Sequence, residues 1–586
     1  MRLFRTAISA LALAAALPTA ALAQAPGEPS AVLDTSCLYD CLIAAVRGHM
    51  TALEARNYAN LPLAADVMFT ENNVVLPVGQ GLWRTVVEVD DNGLAVADET
   101  TGHAAWFGSV RENGHAAFYA VRIHVEGGLI DEIESVVHRR TSLPAPFGDW
   151  ENMEHFAEFY EVLPEEERRP RERMLAIADA YFDTVELNDG QVFAPFSEDC
   201  SRLENGISTT APEPGAQASA ANIASGCREQ FELGIYKINK RVRRVLPLVD
   251  EYRGVVVGSG FFDHANEWDR YLLTDGREMR TALKWPNSIT LLEAFRIRDA
   301  EIQRIEATFT YVPYFMHNPF WGEAAPMPRF APDPAACNDA CLTGLAMSVA
   351  SAMPGNNWQQ VNWAETVGYS ENSVGIRVGE SIWRGITAID TDPLVVADAE
   401  TGKAVWIGRI EEHGQPAWAA FTVAADGDAV GSIDALIRRS NYGPPYVDPV
   451  SATDFDRLPA ARRTPRAAMI AGAGRFMAAI DANVAPEGLL DENCNWLVNG
   501  LDVGGCAGSF GSPPLARIEA VRDRQVLAAD EERGLVAVRF FEDIPATNGE
   551  GYPMTTQVVE LYRFEGGRIT RVEAFTSELP YGMRPR

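Results

Sequence analysis

Leu94-Ala-Val-Ala-Asp-Glu-Thr-Thr-Gly-His-Ala-Ala-Trp106 is written twice in this chain, the second time as Leu394-Val-Val-Ala-Asp-Ala-Glu-Thr-Gly-Lys-Ala-Val-Trp406. In both copies an apolar run ends at an Asp, a glycine-containing turn follows, and apolar residues resume, which is the pattern of two strands joined by a hairpin. Working outward, the match holds at a shift of 300 residues, without a gap, from Cys37–Arg139 onto Cys337–Arg439. Cys37 and Cys41 recur as Cys337 and Cys341, Thr70-Glu71-Asn72 as Ser370-Glu371-Asn372, and Trp83-Arg84 as Trp383-Arg384. A gapless match over about a hundred positions is a duplication.

Around the hairpin, Ser36 to Asn57 carries Leu42, Val46, Met50 and Leu53 at helical spacing and is expected to be an amphipathic helix. A short apolar segment, Leu61 to Val67, and an extended piece, Met68 to Asn72, come next. Leu94–Asp98, Ala104–Val110, Ala116–Val125 and Leu129–Arg139 then read as an antiparallel meander. A second module opens with a helix at Arg171–Glu186 and continues through a polar loop, Asp199–Gly206, and a helical segment, Phe231–Arg243. Its strands are placed at Arg244–Asp250, Gly254–His264, Ser288–Arg298 and Glu301–Tyr311. A fainter echo follows later: Cys494 to Gly500 answers Cys200 to Gly206, Glu560 answers Glu293, and Glu573-Ala574 answers Glu306-Ala307. Asp543 falls near the place of His264. The plan is A–B–A′–B′ over residues 34–142, 168–317, 334–442 and 464–586, with helices packed on a strongly curved antiparallel sheet in each, an α+β class.

The bulk numbers bound the rest. At 586 residues the chain exceeds one core. Its 81 acidic against 50 basic residues, a formal charge of −31, oppose binding to nucleic acid or anionic lipid. Residues 1–25 read as a cleaved signal: Arg2 and Arg5, an apolar Ile8–Leu17, and small residues that place cleavage after Ala23 or Ala25. The mature protein is thus expected in the periplasm or outside the cell, with no membrane anchor. Eight cysteines in an exported chain suggest local disulfides, Cys37 with Cys41, Cys200 with Cys227, Cys337 with Cys341 and Cys494 with Cys506. Metal-binding or redox thiols are the alternative, opposed by the lack of nearby histidine; no metal and no cofactor are expected.

A helix followed by a strongly bent sheet resembles the nuclear-transport-factor-2-like (SnoaL-like, cystatin-type) α+β cone. Several signatures are also similar to those of a secreted fungal and bacterial family whose domain has no assigned function. These are Thr-Glu-Asn with Gly-x-Gly-Leu-Trp (Thr70 to Trp83), Cys-x-Arg-x-Glu-Asn-Gly (Cys200 to Gly206), Gly-Cys-Arg-Glu-Gln-Phe (Gly226 to Phe231), Asp-Glu-x-x-Gly (Asp250 to Gly254) and Phe-Phe-Asp-His (Phe261 to His264). The resemblance implies a pocket at the open end of each sheet and leaves the chemistry open, because the cone fold hosts isomerases, dehydratases, hydrolases and binding modules. It also implies that modules pair through the outer sheet face, giving an internal pseudo-dimer or pseudo-tetramer in a monomeric chain.

Two constellations are candidates. In the first, Glu71 is an acid or base, Asn72 an orienting amide and Trp83 a wall, with Glu371, Asn372 and Trp383 as twins; otherwise Glu71 pairs with Arg84 and the tryptophan fills core. In the second, Glu204 and His264 do proton chemistry while Arg202 and Asn205 position the substrate. Against this, Asn205-Gly206 is a tight turn, and Asp263 and His264 must face opposite sides of a strand. His413, the last histidine of the chain, is read as solvated. Phosphate-loop, dinucleotide, zinc-protease and nucleophile-elbow motifs are absent. The resulting expectation is a small-molecule pocket protein, either a cofactor-independent lyase, isomerase or hydrolase using glutamate on a small apolar organic substrate, or a non-catalytic binding or scaffold protein.

Overall fold

The computed structural model describes residues 37–140, 145–151, 153–210, 226–281, 283–322, 326–439 and 454–585. The expected export signal and cleavage site lie outside these residues. The chain is mixed helix and sheet, with strands predominating, and builds repeated units. Two sheets have seven strands and two have six, and a separate two-stranded ribbon, Arg270–Leu272 with Glu278–Arg280, stands alone.

A helix precedes each sheet: Tyr39–Glu54, Arg171–Leu187, Asp339–Ala352 and Arg466–Ala482. In the first, Leu42, Val46, Met50 and Leu53 form one buried stripe against the sheet. The disulfides Cys37–Cys41 and Cys337–Cys341 staple the starts of the first and third helices, and Cys200–Cys227 and Cys494–Cys506 lie in the other two units.

Strands in the first sheet are buried on both faces, which explains their near-continuous apolar runs. Ala104 and Trp106 point to the helix, whereas Ala105 and Phe107 pack against Leu248, Val255, Val257 and Leu292 of the second sheet. The third and fourth sheets repeat this arrangement, with Val405, Ile407 and Trp418 against Leu527, Ala537 and Phe575. The halves then meet crosswise. Asn113 Nδ2 donates to Ala546 O (2.8 Å) and His413 Nε2 lies 2.6 Å from Asn266 O. Arg84 pairs with Glu519 and Arg384 with Glu267. His413 is therefore an inter-unit contact rather than a solvated turn residue.

Each sheet departs from a pure antiparallel meander by one parallel pair. Leu63–Glu71 runs parallel to Leu129–Arg139, and Phe196–Glu204 to Glu301–Val312. The segments 61–67 and 68–72 thereby merge into one strand with a register shift between Leu63 and Met68. The segment 199–206, expected to be a loop, is largely the end of a strand, because its main chain is paired with that of Arg304–Ala307. The helix expected over 231–243 is instead Cys227–Leu233, capped by Gly234 at φ 69°, and Arg241 already begins a strand.

One asparagine closes every parallel pair. Asn72, Asn205, Asn372 and Asn499 all have φ between 45° and 49°. Asn205 Nδ2 donates to Phe309 O (3.1 Å) and its Oδ1 accepts from Phe309 N (3.0 Å). Asn72 does the same with Val137, and Asn372 with Ile437. Asn499 accepts from Thr576 N and donates to Thr576 Oγ1. Asparagine is the residue that tolerates the left-handed backbone and still carries both a donor and an acceptor.

Asn205→Gly, which keeps the backbone conformation and deletes the amide, is expected to cost roughly 1–3 kcal/mol in urea unfolding. Asn205→Ala should cost about 1 kcal/mol more, from the left-handed φ. Unchanged stability in the glycine variant would remove the latch.

Candidate functional site

The second sheet places two glutamates in a row. Glu204 lies beside Ala307 on the neighbouring strand, and Ala307 lies beside Glu293 on the next. Lateral neighbours share a face, so the two carboxyl chains rise from the same side about 10 Å apart at their Cα atoms. Only the methyl of Ala307 stands between them. Above this row lies a cavity of about 190 Å³ lined by Tyr181, Phe231, Tyr236, Phe262, Phe309 and Tyr311 together with Arg202, Glu204, His264 and Glu293.

Glu293 is buried, and Tyr181 OH donates to its Oε1 (3.0 Å), while Oε2 has no partner among the described residues. Burial, then the proximity of Glu204, push its pKa from 4.5 up to about 8, against the opposing pull of Arg202 and Tyr181. At neutral pH Glu293 is mostly a neutral acid with a donor to give. Glu204 is ion-paired instead, its Oε2 3.4 Å from Arg202 Nε. Arg202 is fully buried: Nε donates to Thr209 Oγ1 (3.0 Å), and Nη2 to Gln230 Oε1 (2.5 Å) and to the Tyr236 hydroxyl. The Cys200–Cys227 bridge ties the strand of Arg202 to the helix that carries Gln230.

His264 also faces this cavity, while Asp263 turns away to bind Arg243. Asn287 Nδ2 donates to Trp285 O (2.9 Å), so its Oδ1 accepts from His264 Nδ1 (3.0 Å). Nε2 is thereby left as the acceptor, and burial lowers the imidazole pKa, keeping the ring neutral. Asp543 proves to be the counterpart of Asp263, held by Arg522 as Asp263 is by Arg243. Ile544 occupies the place of His264.

The same row can be read in the other sheets. It is Glu71–Ser135–Val121 in the first, Glu371–Ala435–Phe421 in the third and Val498–Ala574–Glu560 in the fourth. The second sheet alone carries a carboxylate at both ends. In the fourth, Tyr562 OH donates to Glu560 Oε2 (2.7 Å), and burial raises that carboxyl to about 8. Trp496 replaces Arg202 there and packs on Phe476 with ring centroids 5.2 Å apart.

Glu71 and Glu371 belong to a different space. Glu71 Oε1 accepts from Arg139 (2.9 Å) and Oε2 from Leu82 N (2.7 Å), and Arg139 also grips Glu112. Glu371, Arg439 and Glu412 repeat this cluster, and burial raises Glu371. The expected Arg84 partner is not used, since Arg84 turns to Glu519. Both clusters, with Asn72 and Asn372, border one cavity of about 730 Å³ where the two halves meet. The amides of Asn72, Asn205 and Asn372 are each bonded to the main chain. Trp83 and Trp383 are core: Trp83 meets His49 edge-on at 5.3 Å, and neither tryptophan lines either cavity.

Glu204, Arg202 and His264 are thus brought together, whereas Glu71 and Glu371 lie apart from them. Glu293, Tyr181 and Tyr236 were not singled out from the sequence. A signal for Glu293 existed: it is the lone acid in Ile289-Thr-Leu-Leu-Glu-Ala-Phe295, and it recurs as Glu560.

Residues 167–309 and 462–576 match the family described as Domain of unknown function (DUF8021). These segments hold the helices and most of the strands of the second and fourth sheets. No curated protein matches the chain. Nine chains of solved structures do. One is the crystal structure of AclR from Streptomyces galilaeus, 14% identical, covering 19% of this chain and 91% of AclR, with a TM-score of 0.16.

Glu293 and Glu560 bind a proton in the folded state up to about pH 8, and Glu542 and Glu573 up to about 7, all above the ordinary 4.5. The stability this contributes is complete below pH ~4.5 and is lost as pH rises towards 8, at about 1 kcal/mol per unit for each group. Glu293→Gln should flatten its share of that decline and unfold no more easily than the parent at pH 8.5 in calorimetry. An unchanged slope would mean that Glu293 is ionised in the fold.

Proposed function

We propose that the pocket of the second sheet is an active site for proton transfer on a small, largely apolar organic molecule, in the manner of a lyase, isomerase or hydrolase. The observation that carries this is the pairing of two unlike carboxyls in one apolar cavity, Glu293 neutral and Glu204 beside the Arg202 guanidinium. Environments that drive two carboxyls to opposite protonation states divide acid from base. Glu293 Oε2–H donates a hydrogen bond to a substrate carbonyl oxygen. Glu204 takes a proton from the adjacent carbon, and the resulting enol or enolate is reprotonated or expels a leaving group. His264 Nε2 and the Tyr236 hydroxyl complete the polar set. In this reading Arg202 positions Glu204, and Tyr181 positions Glu293.

The same proposal holds that four α+β cone modules, over residues 34–142, 168–317, 334–442 and 464–586, form the mature exported protein. Four disulfides support export, because such bridges persist in oxidising compartments. No helix among the described residues is long and apolar enough to cross a membrane.

The test is a metabolite comparison by mass spectrometry after incubating the protein with small-molecule extract of its own culture. A mass that disappears while a related one appears, shifted by water or unshifted and detected by retention time, is expected. Glu204→Gln and Glu293→Gln should each slow that conversion roughly 10²–10⁴-fold while the protein stays folded. A compound that is only enriched on the protein, unaltered, would leave a binding protein. Full conversion by both variants would remove the two glutamates from the chemistry.

A further inference from the structure

We infer that the ligand of the second-sheet pocket carries one carboxylate on a compact apolar body, and that this carboxylate lies on Arg202 Nη1. The inference rests on the reading of this pocket as the working site and adds the class of molecule it takes.

Arg202 is fully buried and borders the cavity. Its Nε and Nη2 are engaged by Thr209, Glu204, Gln230 and Tyr236, and Nη1 makes no hydrogen bond among the described residues. Arg202 lines the cavity, and an anionic oxygen is the acceptor that best fits the unused edge of its fork. The charges around the cavity agree. Glu204 balances Arg202, Glu293 is a neutral acid and His264 a neutral ring, which leaves Arg280 at the rim. Arg280 reaches Asp269 only at 3.8 Å, and that carboxylate already holds Lys284 at 2.6 Å. In a chain with a formal charge of −31, this opening is cationic.

Both cationic features are particular to this unit. The fourth sheet has Trp496 at the place of Arg202. Between its strands Leu535–Ile544 and Met554–Glu565 it has a short connection where the second sheet inserts the ribbon bearing Arg280. The remaining wall is aromatic and aliphatic, and about 190 Å³ suits a single ring with a short acidic arm. The unpartnered Oε2 of Glu293 offers a second donor to the same end of the ligand.

The mature full-length protein is titrated at pH 6.5 with phenylacetate, phenylacetamide and 2-phenylethylamine by isothermal calorimetry. Phenylacetate should bind about tenfold or more tightly than the amide, and the amine should not bind. Arg202→Met should bring acid and amide to about equal affinity, and Arg202→Lys, a second variant, should restore part of the preference. Phenylacetate affinity should fall as pH passes about 8 in the parent and stay level in Glu293→Gln. Equal binding of acid and amide by the parent, preference for the amine, no binding of phenylacetate, or a preserved preference in Arg202→Met would each overturn the inference. None of these touches the acid–base reading, whose failure appears in the conversion assay, as a compound bound but unaltered or as conversion preserved in the two glutamine variants.

Discussion

The parallel pairing of the strand Phe196–Glu204 with Glu301–Val312 is the constraint on which the site depends. An antiparallel meander alone would leave Glu204 on a loop beyond the sheet edge. Parallel closure brings it level with Ala307 and hence with Glu293. Because side chains alternate, a slip of one residue would turn both Arg202 and Glu204 away from the cavity. Asn205, the residue after Glu204, prevents that slip by binding both main-chain groups of Phe309, two residues past Ala307 and on the same face. The amide that suggests a ligand contact in the sequence is therefore a register pin, and its value to chemistry is indirect.

Much of the fold was legible because its signals are local. Apolar spacing gave Tyr39–Glu54 and Arg171–Leu187 to within a few residues, and the hairpins close at Asn113-Gly114 and Gly127-Gly128, dipeptides that favour tight turns. Parallel pairing leaves no local trace, because its hydrogen bonds join residues about a hundred apart, and so Asp199–Gly206 looked like a loop. The site was half legible for the same reason. Glu204, Arg202 and His264 carry polar character in short motifs, whereas Glu293 sits in an apolar strand where a single acid reads as an exception. Glu71 and Arg139 are 68 residues apart and meet only in space, so the adjacent Arg84 was the nearest available partner in the sequence. Trp83 and Trp383 repeat because they pack the core.

The comparison of the second and fourth sheets separates scaffold from site. In the second, the phenol that binds the buried carboxyl comes from the helix, Tyr181, and its ring lies 4.9 Å from Phe295 of the strand. In the fourth the two residues are exchanged: Phe476 is on the helix, Tyr562 on the strand, and the rings are 5.0 Å apart. The aromatic pair and the phenol–carboxyl bond both survive the exchange. A carboxyl buried as a neutral acid needs a partner for at least one oxygen, and either ring can supply it. Retention of Glu293 and Glu560 is thus satisfied by folding physics, and a raised pKa alone does not mark either as catalytic.

What distinguishes the second pocket is what faces that carboxyl. Glu204, Arg202 and His264 give way to Val498, Trp496 and Ile544 in the fourth sheet, and the ribbon over the opening has no equivalent there. Each replacement removes charge or polarity and puts an apolar side chain in its place. The reverse substitutions would each bury a cost. An unpaired Glu204, or an Arg202 without Glu204, is worse than the apolar alternative. Such groups persist in the second sheet as a mutually balanced set. That balance leaves Glu293 Oε2 without a partner and Arg202 Nη1 without a hydrogen bond among the described residues, and both side chains line the same small apolar space.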